Sequence, residues 1–409
     1  MRLAEQHIIK RNDPRYAKLD DAAFASKNLW NAANYLVRQS FFFEHSYLDH
    51  VKVFHQIKSH EAYQGLPAKV SNQVLIQLHQ AWKSFFEAQE EWRAHPEKFV
   101  GRPQLPKYKP KTAGRNLLVF EKGAVSKRAL KRGMIALSGI GELVPTKHTR
   151  DTIVQVRVIP RRTHYVIEVI YEQPEQARSA DPSLFVSIDL GVNNLAALTS
   201  NQPGFPALLV NGRPLKALNQ WYNKRREHLQ KGLAKHARFT SRELERLTDK
   251  RNSRVKHYLH LASRRIINLL VQRRIGTLVV GLNPLWKQQG EMGKRQNQQF
   301  VQIPHTRFID MLRYKAQLVG ITVLVTEEAY TSRASFLDRD PLPAYDPTRE
   351  VQPKFSGHRD GRWYYASDKR VIHADVNGSL NIGRKVFPTA FDGRGIEAAP
   401  AVRPRRFVV

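Results

Sequence analysis

Residues 184–200 read LFVSIDLGVNNLAALTS, an apolar run typical of a strand, with one acid, Asp189, near its middle. On a period of two, the face opposite Asp189 is wholly apolar. Residues 191–194 (GVNN) predict a tight turn, because Gly and Asn tolerate positive φ, and the chain then returns as a second strand. Burying an unpaired carboxylate is costly, so Asp189 requires a cation, hydrogen bonds or a metal. Taken alone, the stretch favours a hydrogen-bonded or edge-exposed aspartate beside a hairpin.

The composition indicates a globular protein with a polyanionic partner. The chain has 409 residues, 41% of them hydrophobic and 25% charged, which is enough for two or three domains. Lys and Arg number 67 against 36 Asp and Glu, giving a formal net charge of +31. Such a surplus repels itself unless it meets a polyanion. Because the basic residues are interleaved with aromatics, nucleic acid is favoured over an anionic membrane surface.

The sequence also indicates where in the cell the protein is expected and which side-chain chemistry it lacks. No apolar run approaches the roughly 20 residues needed to span a bilayer, and the N-terminus lacks an apolar signal core. We therefore expect an intracellular protein, cytoplasmic and associated with the nucleoid. The chain has no cysteine, which excludes disulfides, thiolate zinc sites and a cysteine nucleophile.

The N-terminal half combines helical and strand-like segments. After an opening strand candidate, the spacing of apolar residues predicts helices over 18–44 and 71–92, the second with Ser71 as its N-cap. Period-two runs from 116 to 173 predict a small antiparallel β unit. A break rich in Pro, Glu, Ala and Ser at residues 172–182 marks a domain boundary.

Two basic segments are candidates for nucleic-acid binding. The proline-punctuated connector 101–115 places cations around a tyrosine, which suits a phosphate backbone, although a solvated linker has a similar composition. Its candidate contacts are Lys107, Tyr108, Lys109 and Lys111. Residues 216–274 are helical and heavily basic, and their candidates are Arg225 and Arg226, with two solvated helices as the alternative interpretation.

Two further acids follow strand and helix patterns in the C-terminal half. TLVVG (277–281) and ITVLVTEE (321–328) are predicted strands with a helix between them, a spacing that indicates a right-handed crossover. Alternation on the second strand makes Glu328 the better candidate for a carboxylate presented to solvent or metal, with Glu327 in reserve. Asp375 falls in the first turn of a final helix, where an N-cap role is the alternative.

Together, Asp189, Glu328 and Asp375 suggest metal chemistry. Hard divalent cations take oxygen ligands, and two ions bridged by carboxylates activate water and stabilise the leaving oxygen of a phosphodiester. The sequence alone does not establish that the three acids converge, so a scattered arrangement stays open.

Five segments, in order, resemble the RuvC-like nuclease domain of TnpB proteins, which are encoded by insertion sequences and are relatives of the type V CRISPR effectors. These segments are SIDLGVNNLAALTS, VVGLNPLWKQ, EEAYTSRASFLD, FSGHRDGRWY and HADVNGSLNIGRK. A further match, AAFASKNLWNAANYLVRQSF, extends the resemblance over nearly the whole chain.

The resemblance implies a multidomain α/β protein, in which an RNase H-like (RuvC) nuclease domain is preceded by a β-barrel wedge domain with an inserted helical recognition domain. The implied segments are the first wedge strand (1–14), the helical recognition domain (15–100), the remainder of the wedge (101–181), the first part of the nuclease domain (182–331), a cysteine-free insertion (332–373), the last nuclease helix (374–390) and a basic C-terminal tail (391–409).

The resemblance also implies an activity. An RNA-guided DNA endonuclease of a transposon would bind a guide RNA from its own element, check a short motif beside a double-stranded DNA target, and cut by two-metal hydrolysis with Mg²⁺ or Mn²⁺. Carried onto this chain, Asp189, Glu328 and Asp375 would be the catalytic metal ligands. No membrane partner is expected, and a monomer is favoured. Three more cations in the matched or replaced segments are expected to contact nucleic acid: Lys287, Arg359 and Arg362.

The sequence departs from the family pattern in two places. In many members the Glu follows the strand matching TLVVG, where this chain has Gly281, so Glu328 must serve. The four-cysteine zinc ribbon common in the family is missing from residues 332–373, and His358 and His373 alone do not form a structural zinc site. We predict a zinc-free loop insertion there.

Two other functions remain open at this point. Because of Gly281, a cleavage-deficient RNA-guided DNA-binding protein that acts as a transcriptional roadblock is the alternative to a nuclease. An unguided transposase or resolvase, which would bind DNA without RNA, is the third.

Overall fold

The computed structural model describes residues 1–176, 180–282, 302–346, 353–392 and 403–409. They fall into two compact units, Met1–Gln173 and Pro174–Val409, which divide inside the predicted break at residues 172–182. The candidate contact Lys287 lies outside the described residues. Within the described ranges, no helix combines the length and the apolar character needed to cross a membrane.

The first unit contains five helices and six strands among its described residues. The helices are α1 (Tyr16–Phe43), α2 (His50–Ile57), α3 (Glu61–Gln64), α4 (Ala68–Ala94) and α5 (Lys127–Lys131). The strands are β1 (Arg2–Lys10), β2 (Leu118–Glu121), β3 (Met134–Leu137), β4 (Gly141–Pro145), β5 (Ile153–Pro160) and β6 (His164–Glu172).

The two long predicted helices are present as α1 and α4, but the predicted N-cap of the second is wrong. Helix α4 begins at Ala68, directly after Pro67. Ser71 is buried inside the helix, and its hydroxyl donates to the Tyr63 carbonyl at 2.8 Å. Proline fixes φ near the helical value and therefore starts the helix earlier than a capping serine would.

The strands of the first unit form an open antiparallel sheet in the order β1-β6-β5-β2, with β3 and β4 as a separate hairpin. The predicted barrel is therefore not closed by backbone pairing among the described strands, since β1 and β2 are both edges. The starts of the two long helices cover the sheet instead: Leu19 and Ala23 of α1 and Val70 of α4 share one buried cluster with the sheet residues. Helix packing supplies the burial that barrel closure would have supplied.

The second unit contains four helices and nine strands among its described residues. The helices are α6 (Arg213–Ala234), α7 (Arg242–Gln272), α8 (His305–Gln317) and α9 (Ala374–Val386). The strands are β7 (Asp181–Leu190), β8 (Asn194–Ser200), β9 (Leu208–Asn211), β10 (Ile275–Gly281), β11 (Thr322–Thr326), β12 (His358–Asp360), β13 (Trp363–Tyr365), β14 (Val371–His373) and β15 (Arg405–Phe407).

Six of these strands form one mixed sheet in the order β11-β10-β7-β8-β9-β15. Strand β8 pairs antiparallel with β7 on one side and with β9 on the other. Strand β10 pairs in parallel with β7 and with β11, as the strand, helix, strand spacing predicts. Helices α7 and α8 cover one face of the sheet through a large apolar cluster. Helix α9 covers the other face, so both faces of β7 are buried.

The C-terminal segment predicted as a basic tail contributes the strand β15, which pairs in parallel with β9. The predicted loop insertion at residues 332–373 also contains regular structure, a three-stranded sheet in the order β12-β13-β14. The Asp340 carboxylate accepts from the backbone N–H groups of Ser335 at 2.8 Å and Ser356 at 3.0 Å, and from the Ser356 hydroxyl. A buried carboxylate with three hydrogen-bond donors thus links Ser335 to Ser356 in the segment that precedes the small sheet.

A buried hydroxyl seam fixes α9 against the central sheet. The Ser379 hydroxyl donates to the Ser187 carbonyl at 2.9 Å and lies 2.8 Å from the Thr199 hydroxyl. All three residues are buried. Because a buried polar group is costly without its partner, the seam fixes the position of α9 along the sheet.

We expect Ser379→Ala to lower the free energy of unfolding by about 1–3 kcal/mol, because the Thr199 hydroxyl and the Ser187 carbonyl lose a buried partner. Urea unfolding followed by circular dichroism measures this. Ser253→Ala, at an exposed position of α7, is the matched control and should change stability by less than about 0.5 kcal/mol. Equal effects of the two changes would contradict the role given to the seam.

Candidate active site

Asp189 lies at the end of β7, on the face covered by α9. A Cβ atom placed on Gly378 of α9 would lie 2.5 Å from the Asp189 Oδ2 atom and 3.2 Å from its Cγ. Only a residue without a side chain allows the helix to pass this close to the carboxylate. The absence of a side chain at Gly378 therefore allows α9 to cover the Asp189 carboxylate.

Glu328 follows the end of β11, two residues beyond Thr326. Its Oε2 atom is buried and has no hydrogen-bond partner among the described residues. A Cβ atom placed on Gly281 would lie 3.0 Å from this oxygen and 2.6 Å from Ile382 Cδ1. Glu328 therefore reaches the space beside Gly281, where the family pattern places the glutamate.

Glu327 has a different environment. Its carboxylate forms an ion pair with Lys385, whose side chain is only 7% exposed, and it also accepts from the Tyr345 N–H at 3.4 Å. The geometry thus gives the two glutamates separate roles, with Glu327 neutralising a buried lysine and Glu328 left with an unpartnered oxygen.

Asp375 lies in the first turn of α9, as the sequence pattern predicts, but it is not the N-cap. His373 is the cap, and its Nδ1 atom accepts from the Asp375 N–H at 3.3 Å. The Asp375 carboxylate accepts from Asn194 Nδ2 at 2.8 Å and from Arg359 at 3.2 Å. Asn194, at the start of β8, and Arg359, on β12, therefore hold this acid from two sides.

Burial and mutual repulsion raise the pKa of two of the three acids. The pKa of Asp189 is well above its usual range, first because of burial and then because of the negative charges of Glu328 and Asp375. Arg359 opposes this shift. Burial raises the pKa of Glu328 to about 7, with Lys385 acting in the opposite direction. Two carboxyl groups that resist ionisation next to each other are typical of sites that bind a cation or handle protons.

The donors suit a hard cation, although the third acid is engaged elsewhere. Carboxylate oxygens are the ligands that Mg²⁺ and Mn²⁺ prefer, and the unpartnered Glu328 oxygen fits a ligand position. Over the described ranges, no three His, Asp or Glu side chains stand in an arrangement that could hold one ion. The three candidate acids therefore do not form a group of ligands around one ion in the described residues, and Asp375 is paired with Arg359 at 3.2 Å.

The connector in the first unit is an ordered strap along α1. The Asn31 side chain bonds both the N–H and the carbonyl of Lys109 at 2.9 Å. Lys107, Tyr108 and Lys111 are exposed, as nucleic-acid contacts require. Lys109 instead turns inward, with its ammonium 4.8 Å from the centre of the Trp30 ring.

The remaining cationic candidates differ in their environments. Arg226 is exposed, whereas Arg225 pairs with Glu243 across α6 and α7 at 2.9 Å. Arg359 and Arg362 are exposed on and beside the small sheet. Sequence reasoning missed the contact from Asn194 and the role of Gly378; a glycine inside a helix pattern was the available signal for the second.

Stability should fall as the pH rises, because of Glu328. Its pKa of about 7 in the folded protein lies above the ordinary value of 4.5, so between these values the folded state keeps a proton that the unfolded state has lost. The carboxyl group has no effect below about pH 4.5, lowers stability as the pH rises to about 7, and keeps it lowered above that. Without divalent metal at about pH 8, we expect Glu328→Gln to be more stable than the parent by about 3 kcal/mol in urea unfolding.

The control for this prediction is Glu327→Gln, which removes the partner of Lys385 and should not stabilise the protein at any pH. If the difference between Glu328→Gln and the parent were the same at acidic and basic pH, the raised pKa of Glu328 would be wrong.

Two family models match most of the second unit, and solved structures match most of the chain. The OrfB_IS605 family model, described as a probable transposase, matches residues 168–285, and the Cas12f1-like TNB domain model matches residues 305–382. No curated protein matches the chain. A solved complex of Cas12f1 with single-guide RNA and target DNA is 14% identical, with 89% of this chain and 81% of that chain covered and a TM-score of 0.51. The structure of the mini RNA-guided endonuclease Cas phi3 is 9% identical, with 97% and 93% covered and a TM-score of 0.45.

The likeness to the Cas12f1 complex shows a shared mixed α/β fold. The two family models follow each other along the chain in the order that the sequence resemblance gives, and both include candidate acids: Asp189 in the first, and Glu328 and Asp375 in the second. Residues 168–285 are thus similar to the OrfB_IS605 probable transposases and residues 305–382 to the Cas12f1-like TNB domain, a combination consistent with a TnpB-like protein.

Proposed function

We propose that this protein is a transposon-encoded, RNA-guided DNA endonuclease whose second unit is a RuvC-like nuclease domain with an RNase H-like fold. The observation that carries the proposal is the pair of enclosed carboxyl groups, Asp189 and Glu328, beside α9. Acids that are buried in this way lower the stability of the folded protein. They become useful in a protein that binds nucleic acid when they hold a metal ion that neutralises the charge of a phosphodiester.

Asp189, Glu328 and Asp375 would hold Mg²⁺ or Mn²⁺, and zinc has no part in the proposed site. The bound ions would lower the pKa of water and stabilise the leaving oxygen of the cut strand. The protein's own groups prepare the site. Gly378 allows the Asp189 carboxylate to approach α9, and Asn194 orients Asp375 through its 2.8 Å hydrogen bond.

Arg359 balances the charge of Asp375 until a ligand takes over. Its guanidinium is 3.2 Å from the Asp375 carboxylate, and its side chain is 44% exposed. An exposed guanidinium exchanges readily between a carboxylate and a phosphate, since both present paired oxygens. In the proposed site, the arrival of a strand phosphate gives Arg359 a new partner and releases Asp375 to the metal.

Guide pairing explains the charge of the whole chain. A net charge of +31 suits an RNA–DNA heteroduplex that is bound through its shape and backbone, while base pairing supplies sequence discrimination. The proposed partners are therefore a guide RNA from the same element and a double-stranded DNA target, bound by a monomer. Lys107, Tyr108, Lys111 and Arg226 are exposed for such contacts.

We expect Asp189→Ala to abolish cutting while leaving guide and target binding in place. The protein is purified with its RNA, the RNA is sequenced, and a matching DNA target is supplied with Mg²⁺. Loss of a metal-binding carboxylate should reduce the cleavage rate by about 1000-fold or more.

Two outcomes of this experiment would overturn the proposal. If the parent binds the target but leaves it uncut, the protein is the cleavage-deficient roadblock that Gly281 suggests. If DNA binding keeps its specificity after RNase treatment, it is an unguided transposase or resolvase.

The neighbouring glutamates test which carboxylate belongs to the site. We expect Glu328→Gln to reduce the cleavage rate by about 100-fold or more, because an amide is a poor replacement for a metal-binding carboxylate. Glu327→Gln should change the rate by less than about fivefold, although it weakens folding by leaving buried Lys385 without its charge partner. Rates are compared at a temperature where urea unfolding shows both variants to be folded. The reverse order of effects would move the site to Glu327.

A further inference from the structure

A cavity of about 600 Å³ opens in the second unit beside Asp375. Asp375 and Asn194 lie in its lining next to Trp363, and Leu209 of β9 contributes to the wall. Its cationic lining comprises five arginines: Arg213, Arg359, Arg362, Arg403 and Arg406. This volume is typical of small-molecule sites and accommodates a group of nucleotide size.

The C-terminal strand forms one wall of this cavity. β15 pairs with β9 so that Arg406 stands opposite Leu209, and Phe407 opposite Val210. Because side chains alternate along a strand, Arg406 faces the cavity with Leu209, whereas Phe407 packs into the apolar cluster under α7 and α8. The strand is fixed at its end by a 2.7 Å hydrogen bond from Arg265 to the Val408 carbonyl. Arg406 is thus positioned by sheet register and not by a free chain end.

Four of the five arginines in this cavity have no carboxylate partner among the residues that the structure describes. Arg359 pairs with Asp375. Within the described ranges, Arg213, Arg362, Arg403 and Arg406 form no ion pair with a carboxylate. Converging guanidinium groups repel each other, and a chain of phosphates relieves that repulsion at several points at once. The partly exposed Trp363 ring adds a surface on which a base stacks.

We propose that the C-terminal strand β15 is a required wall of this cavity, and that its Arg406 positions the phosphodiester backbone of the single strand that passes Asp375. Arg403 and Arg406 contact phosphates on one side, and Arg362 contacts them from the small sheet on the other, with a base on Trp363. The inference deepens the proposed function: if that function holds, the bound strand is the one being cut, and the chain end takes part in placing it.

Crosslinking tests the proposal without relying on cleavage. All variants carry Asp189→Ala, so that bound strands stay intact, and are mixed with short fluorescent oligonucleotides that contain 5-iodouracil, as DNA in one arm and as RNA in the other. Irradiation followed by peptide mapping reports attachment at Trp363. Anisotropy titrations at several salt concentrations report overall affinity.

Two single substitutions on β15 form a matched pair. Arg406→Ala should reduce crosslinking at Trp363 about tenfold and lower the salt dependence of binding by about one unit of slope. Arg405→Ala, one residue away on an exposed position outside the cavity lining, should leave crosslinking at Trp363 unchanged. Thermal unfolding midpoints should agree among all three proteins, because the anchoring Phe407 is untouched.

The outcomes separate this inference from the proposed function. Equal crosslinking at Trp363 in Arg406→Ala and Arg405→Ala overturns it, even if the protein with Asp189 intact cuts DNA. Loss of the crosslink in Arg406→Ala alone supports it, even if the protein cuts nothing. Stronger attachment of the RNA arm than of the DNA arm supports a strand pocket but assigns it to the guide and not to the target.

Discussion

The contact between the Asp189 carboxylate and the backbone of α9 is the constraint on which the second unit depends. It places a carboxyl group between a central strand and a helix, where burial disfavours its charged form and raises its pKa. The residues around this carboxyl group accommodate it in two ways. Gly378 removes the side chain that would collide with the carboxylate, and the buried hydroxyls of Ser187, Thr199 and Ser379 keep the helix from sliding. Buried acids with raised pKa values are a feature that recurs at functional sites.

Much of this arrangement could be predicted from the sequence because strand patterns are short-range. The alternation around Asp189, the turn after it and the returning strand follow from residue type alone, and the structure has β7 and β8 there. The resemblance of the matched segments led to the choice of the three acids as candidate site residues. What could not be predicted depends on contacts between distant residues: the pairing of Arg359 with Asp375, the ion pair of Glu327 with Lys385, and the strand β15, whose partner lies nearly 200 positions earlier. Three-residue strands such as β12 to β15 carry too little periodicity to be recognised.

Not every cationic side chain of this protein is available to bind nucleic acid. Lys109 lies over the Trp30 ring and Lys385 is buried with Glu327, so both of these positive charges are used within the fold. Arg225 pairs with Glu243 on the surface. Lys107, Lys111 and Arg226 remain exposed. Composition alone counts both kinds equally. The distinction matters for polyelectrolyte binding, because only charges that meet phosphates release counterions.

The space beside Gly281 has a consequence for how such proteins are classified. β10 and β11 run parallel in register, with Gly281 opposite Thr326, so a carboxylate can be supplied from either strand to the same place. A comparison of aligned sequences would find Gly281 where it expects an acid, and it would classify this chain as inactive. A survey that judges by position in three dimensions would find a carboxylate there. In the proposed site, the glutamate that follows β11 therefore takes the place that an acid after β10 would have.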